Sequence, residues 1–213
     1  MLDVFLGYVE RGAQIVRLDA IAYLWKEIGH SCIHHPNTHR IVKLMRAIVE
    51  ELAPWVMIIT ETNVPHQENV SYFGDGDEAQ MVYNFSLPPL ALHALIRGEA
   101  TYLQRWAATL PEEQRDRTFF NFCASHDGVG LLPATGILPE EEIGAMIDTV
   151  KARGGRISYK ATPKGEIPYE MNVNYLSAVT DPNLPAEQRA RAFLASQAIM
   201  LAMAGVPGVY VHS

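Results

Sequence analysis

Cysteine is scarce in this sequence: two thiols, Cys32 and Cys123, in 213 residues. Two cysteines build no disulfide framework, so a packed core must carry the stability, and free thiols point to a cytoplasmic protein. An excess of positive charge is missing too. The net charge is −7 with no basic stripe, which argues against a nucleic-acid partner and against attraction to an anionic membrane. Long apolar runs are absent. The longest candidate, 195–211, is broken by Gly205, Pro207 and Gly208 and falls short of the roughly 18 residues of a membrane span. The opening MLDVFLGYVERG has neither the basic start nor the apolar centre of a signal peptide. No glycine-rich phosphate loop follows the first strand-like run, which counts against a dinucleotide-binding fold.

What is present suits a chain with a real core: 48% hydrophobic and 19% charged residues, in a length open to one large domain or two small ones. Helical spacing over Leu2–Glu10 ends at Gly12. Ile15–Ala20 reads as a first strand, followed by the histidine-rich loop GHSCIHHPNTH. Asn37 or Thr38 is placed to cap a helix with an apolar stripe from Ile41 to Leu52, closed by Pro54. Val56–Thr60 lacks alternation and reads as a strand buried on both faces. A turn-rich loop covers 63–78, and Ala79–Phe85 is a third strand. Pro88 and Pro89 open a helix that breaks near Gly98 and resumes through Thr101–Leu110. Thr118–Ala124 is a fourth strand. A long excursion at 128–181 contains an acidic helix, Pro139–Lys151, and a turn at Gly154–Gly155. A helix over Leu184–Ala204 and a fifth strand, Val206–Val211, close the sequence.

Apolar strands alternating with amphipathic helices imply a parallel α/β sheet. Five such strands fit an open doubly wound sheet or part of a (β/α)8 TIM barrel. Three of them end in or near a carboxylate: Asp19, Glu61 and Asp127. Each acid has an ordinary reading, as an ion-pair partner of Arg17, a loop acid and an Asp-Gly turn. Together they favour the barrel, whose active sites lie at the C-terminal ends of the strands. Carboxylates meeting in one pocket suit glycosyl transfer with retention. One attacks the anomeric carbon while a second, protonated, donates to the leaving oxygen. A third can hold sugar hydroxyls. Arg17, two residues before Asp19 on one strand face, would keep the nucleophile ionised.

RLDA (Arg17–Ala20), TETN (Thr60–Asn63) and ASHD (Ala124–Asp127) resemble the second, third and fourth motif regions of the α-amylase clan of glycoside hydrolases. The closing GVPGVYVHS is similar to the clan's eighth strand. The resemblance implies a partial barrel covering about strands four to eight, forming one catalytic domain over 1–213 with its excursion at 128–181. It implies Asp19 as nucleophile, Glu61 as acid/base and Asp127 as transition-state stabiliser, with Arg17 orienting Asp19 and His126 binding a sugar hydroxyl. Within the clan, LDAIAYLWKEIGHSCIHHPNTHRIVKLMR, DEAQMVYNFSLPPLALHAL and YEMNVNYLSAV look like the sucrose phosphorylase group, and most like its glucosylglycerate phosphorylase branch. That group uses inorganic phosphate as co-substrate, with no cofactor and no metal, and yields α-glucose 1-phosphate from a small α-glucoside. Tyr169, Glu170 and Asn172 would lie near the donor and acceptor subsites. Sucrose phosphorylases carry Tyr-Gln where this chain has Tyr169-Glu170, which weighs against sucrose. A hydrolase of the same clan and a truncated, non-catalytic chain are the rival readings.

The first three strands of that barrel, and the motif of its third strand, have no counterpart here. Five strands leave open sheet edges, so the isolated chain is expected to be poorly soluble, self-associating or inactive. The remaining features are weaker. His30, His34, His35 and His39 with Cys32 match no zinc spacing. GDGDE (Gly74–Glu78) lacks the calcium-loop pattern. Tyr23, Trp25, Tyr72 and Phe73 are either sugar-stacking faces or core.

Overall fold

The computed structural model describes residues 1–110, 116–163 and 165–212. It is an α/β protein that divides into two compact units, each with its own core. The first holds Met1–Asn63, Gln67–Tyr83 and, among the described residues, 116–120. Its elements begin with α1 (Leu2–Glu10), β1 (Ile15–Leu18), α2 (Pro36–Leu52) and β2 (Met57–Thr60). After α3 (His66–Val70) come β3 (Met81–Tyr83) and β4 (Thr118–Asn121). The strands run parallel in sequence order, with Leu18 opposite Thr60, Thr60 opposite Val82 and Val82 opposite Phe119.

Periodicity explains α2. Val42, Met45 and Val49 fall on one face and are buried with Phe5, Val56 and Ile58, each contributing about 1.5–3 kcal/mol. The cap differs from expectation. It is His35, whose Nδ1 accepts from the Asn37 N–H at 3.1 Å, with Pro36 following as first helical residue. A neutral ring nitrogen supplies the acceptor that serine or asparagine would otherwise provide. β2 is buried as its unbroken apolar run predicts. Its N-terminal end is tied to Gln80, which accepts from the Ile58 N–H at 2.8 Å.

β1 departs from the buried strand expected. Ile15 is 50% exposed and Arg17 is exposed, because β1 is the edge of its sheet. The Asp19 carboxylate at its end is therefore solvated, its side chain 72% exposed.

The second unit contains α4 (Leu87–Arg97), α5 (Thr101–Ala107), β5 (Val129–Gly130), α6 (Glu140–Ala152) and β6 (Arg156–Thr162). It continues with β7 (Gly165–Asn172), α7 (Tyr175–Val179), α8 (Ala186–Ala202) and β8 (Val206–Pro207). α4 buries every residue from Leu87 to Ala94 and is clamped by Tyr175, whose hydroxyl donates to the Pro88 carbonyl at 2.9 Å. β6 and β7 form an antiparallel hairpin, and β5 pairs antiparallel with β7. The sequence reading did not anticipate this sheet. Its signal was present as alternation through Ile157, Tyr159 and Ala161, then Ile167, Tyr169 and Met171, with the turn formers Pro163 and Gly165 between the two runs.

β3, β4 and β8 are shorter than expected. β8 stops at Pro207, which has no N–H to extend a ladder. The loop expected at 63–78 holds α3 and a 3-10 turn over Ser71–Phe73. Ser213 lies outside the described residues. Among the described residues, no helix is long and apolar enough to cross a membrane.

Candidate active site

In the first unit, the register of β1 on β2 brings two acids to one sheet edge. Leu18 and Thr60 are partners, so Asp19 and Glu61 leave the ladder side by side, and the Glu61 N–H donates to the Leu18 carbonyl at 3.1 Å. Arg17 reaches both. Its Nη1 lies 2.7 Å from Asp19 Oδ1 and its Nη2 3.9 Å from Glu61 Oε2. Burial opposes the guanidinium's charge, but Tyr83, Glu61 and Asp19 outweigh it and hold the pKa above the ordinary arginine value. The guanidinium also sits over the Tyr83 ring, 5.5 Å from its centroid, where the ring face favours a cation. The two acids differ in environment. The Asp19 side chain is 72% exposed and that of Glu61 only 12%, and Glu61 Oε2 accepts from the Ala20 N–H at 2.9 Å.

The loop after Asp19 is held by side chains the sequence reading left unassigned. His34 bridges Glu68, at 2.9 Å through Nε2, and the Tyr72 hydroxyl, at 3.1 Å through Nδ1. His39 Nδ1 meets the buried Glu78 at 2.9 Å, and its ring stacks on Tyr72 at 4.6 Å. Tyr72 and Phe73 are fully buried, so they are core and not sugar platforms. Trp25 stacks on His35 at 6.0 Å. Among the described residues, no three metal-ligating side chains converge. The histidines serve as rigid polar packing for a loop with positive φ at Ala20, Cys32 and His34.

In the second unit, Asp127 lines a polar hollow of about 420 Å³ together with His126, Asn172, Asn174, Tyr210 and His212. His126 Nε2 lies 3.3 Å from Asp127 Oδ2. β5 pairs with β7 through Gly130 and Glu170, which carries the 169–172 stretch alongside the residues after Asp127. The Leu131 N–H donates to the Tyr169 carbonyl at 2.9 Å. A side chain at Gly128 would strike the Met171 carbonyl and come within 2.9 Å of Glu170 Cγ. Glycine there lets Glu170 lie against the backbone beside Asp127. Asn172 donates to Ser158 Oγ at 2.8 Å. The hollow thus unites Asp127, His126 and Asn172 of the expected residues and adds Asn174, Tyr210 and His212. Those three lie inside the quoted stretches YEMNVNYLSAV and GVPGVYVHS, where nothing singled them out from their neighbours.

No protein-family model matches the chain. A glucosylglycerate phosphorylase of Spirochaeta thermophila is 64% identical over 213 residues, covering all of this chain and 36% of the relative. One from Allomeiothermus silvanus is 49% identical over 218 residues, covering all of this chain and 39% of the relative. The crystal structure of a sucrose 6F-phosphate phosphorylase from Thermoanaerobacter thermosaccharolyticum superposes with a TM-score of 0.81 at 24% identity. That match covers 98% of this chain and 40% of the other, and it shows the shared fold. Its fold is the one shared with that phosphorylase, and its sequence relatives are glucosylglycerate and sucrose phosphorylases. The chain spans well under half the length of each relative described.

Proposed function

We propose that this chain is the part of a retaining glucoside phosphorylase that carries its nucleophile, acid/base and stabiliser. The substrate class is a small α-glucoside, glucosylglycerate first among candidates, with inorganic phosphate as co-substrate. Asp19 attacks the anomeric carbon and Glu61 protonates the departing oxygen, giving a glucosyl ester on Asp19. A phosphate oxygen then displaces Asp19, Glu61 accepts any proton released, and α-glucose 1-phosphate leaves with the original anomeric configuration. Asp127 and His126 bind sugar hydroxyls as the ring flattens. Tyr169, Glu170 and Asn172 face the acceptor.

The observation that carries this reading is Arg17, placed at 2.7 Å from Asp19 and 3.9 Å from Glu61. A guanidinium against the exposed carboxylate, with a second and less exposed carboxylate beside it, suits one acid as nucleophile and the other as proton donor. The 213 residues alone are proposed to be inactive and the protein to be cytoplasmic. The first is supported by the share of the relatives' length covered, the second by two free thiols.

The test is a polypeptide of the relatives' length that contains this sequence, incubated with glucosylglycerate with and without phosphate. Phosphate-dependent glucose 1-phosphate is expected, and Asp19→Asn should lower its rate by about 10⁴-fold or more. Glucose released equally without phosphate would make the enzyme a hydrolase and reject phosphorolysis.

A further inference from the structure

We infer that Ala20 is a positioning residue whose backbone N–H anchors the Glu61 carboxylate. The inference rests on reading Glu61 as the acid/base. Ala20 has φ +45° and ψ 36°, a left-handed conformation that residues other than glycine, asparagine and aspartate rarely adopt. The turn is locked by its own carbonyl, which accepts from the Tyr23 N–H at 3.0 Å. The outcome is a bond from the Ala20 N–H to Glu61 Oε2 at 2.9 Å, across 41 residues of sequence. Arg17 Nη2 faces the same oxygen at 3.9 Å. Ala20 therefore directs a hydrogen bond, and Arg17 a more distant charge, at one oxygen of the partner acid of Asp19.

This arrangement sorts the two carboxyl oxygens. The Ala20 N–H is bonded to Oε2, so the acid/base role assigns the transferable proton to Oε1. When Oε1–H gives its proton to the glycosidic oxygen, the resulting carboxylate is already held by a hydrogen bond that strengthens as charge appears. Alanine suits position 20 because a β-branched side chain resists positive φ. Glycine would adopt the conformation without strain.

The test is a pH titration of the 213-residue chain by ¹H–¹⁵N NMR, following the Ala20 amide. The Ala20 proton should move downfield as Glu61 ionises, and Glu61→Gln should abolish the movement. Ala20→Gly should keep a titrating amide at position 20. Replacing Ala20 with lactate, which keeps the methyl group and removes the N–H, should weaken the acid constant of Glu61 about tenfold, read from its carboxyl ¹³C shift. Unchanged amide dispersion in β1 and β2 controls for folding. An Ala20 amide blind to pH, or one that still titrates in Glu61→Gln, overturns the inference, as does a lactate variant with an unchanged Glu61 titration. If the anchor is found but Glu61→Gln retains full glucosyl transfer in the longer polypeptide, the acid/base reading fails and the anchor stands.

Discussion

Single residues divide into those whose meeting the sequence announced and those that only the folded surroundings could define. Asp19 and Glu61 were legible because acids are out of place at the ends of apolar strands, and Arg17 because it lies two residues from Asp19 on one strand. Tyr72 and Phe73 were ambiguous, since an aromatic near a pocket motif reads alike whether it stacks on sugar or on a histidine. Burial decided for the core. The cysteines were legible as free thiols but not in reactivity. Burial pushes the Cys123 thiol up to about 12, and Sγ lies 3.5 Å from the Ser196 carbonyl as a donor. Near pH 8 only about one Cys123 in ten thousand is then a thiolate. Iodoacetamide should label Cys32 in the folded chain and reach Cys123 only after denaturation, as mass spectrometry of the digest would show.

Secondary-structure elements were read correctly in kind and order where period was strong, as in α2 and β2. They were read too long at β1, β3, β4 and β8, of which only β8 is cut by proline and glycine. The hairpin of β6 and β7 was missed because a long excursion invites a loop reading, although alternation was there. Two glycines bordering this region have opposite meanings. Gly144, in the middle of α6, faces an apolar cavity of about 400 Å³, and a methyl group there meets nothing within 4 Å. Gly144→Ala should stabilise by about 1 kcal/mol through helix propensity, whereas Gly128→Ala should destabilise by about 1–3 kcal/mol through collision with β7. Urea unfolding midpoints of both variants check the contrast.

The tie between α4 and α6 supplies a pH dependence. Arg97 lies 2.8 Å from Glu142 Oε1 and His93 lies 2.8 Å from Oε2. The hydrogen bond from Arg97, then that from His93, holds the Glu142 carboxyl below its ordinary value near 4.5. The folded state therefore binds that proton less readily than the unfolded chain. Its contribution is complete above about pH 4.5 and is lost as pH falls through the lower, folded pKa. Glu142→Gln should flatten the acid side of the stability curve, measured as thermal midpoint between pH 6 and pH 3.

For the whole molecule, apolar surface is the dominant unsolved quantity. Ile15, Leu194, Leu201 and Val211 are all exposed, and exposed large apolar side chains invite association. The 213-residue chain should show a scattering mass that rises with concentration, and Ile15→Lys should reduce that rise by placing a charge on the sheet edge. A mass independent of concentration in both would refute this. The open flank of β1 has a second consequence. Ladder pairing recognises backbone more than side chains, so a synthetic strand of suitable length has a row of amide and carbonyl groups there to pair with, whatever its side chains.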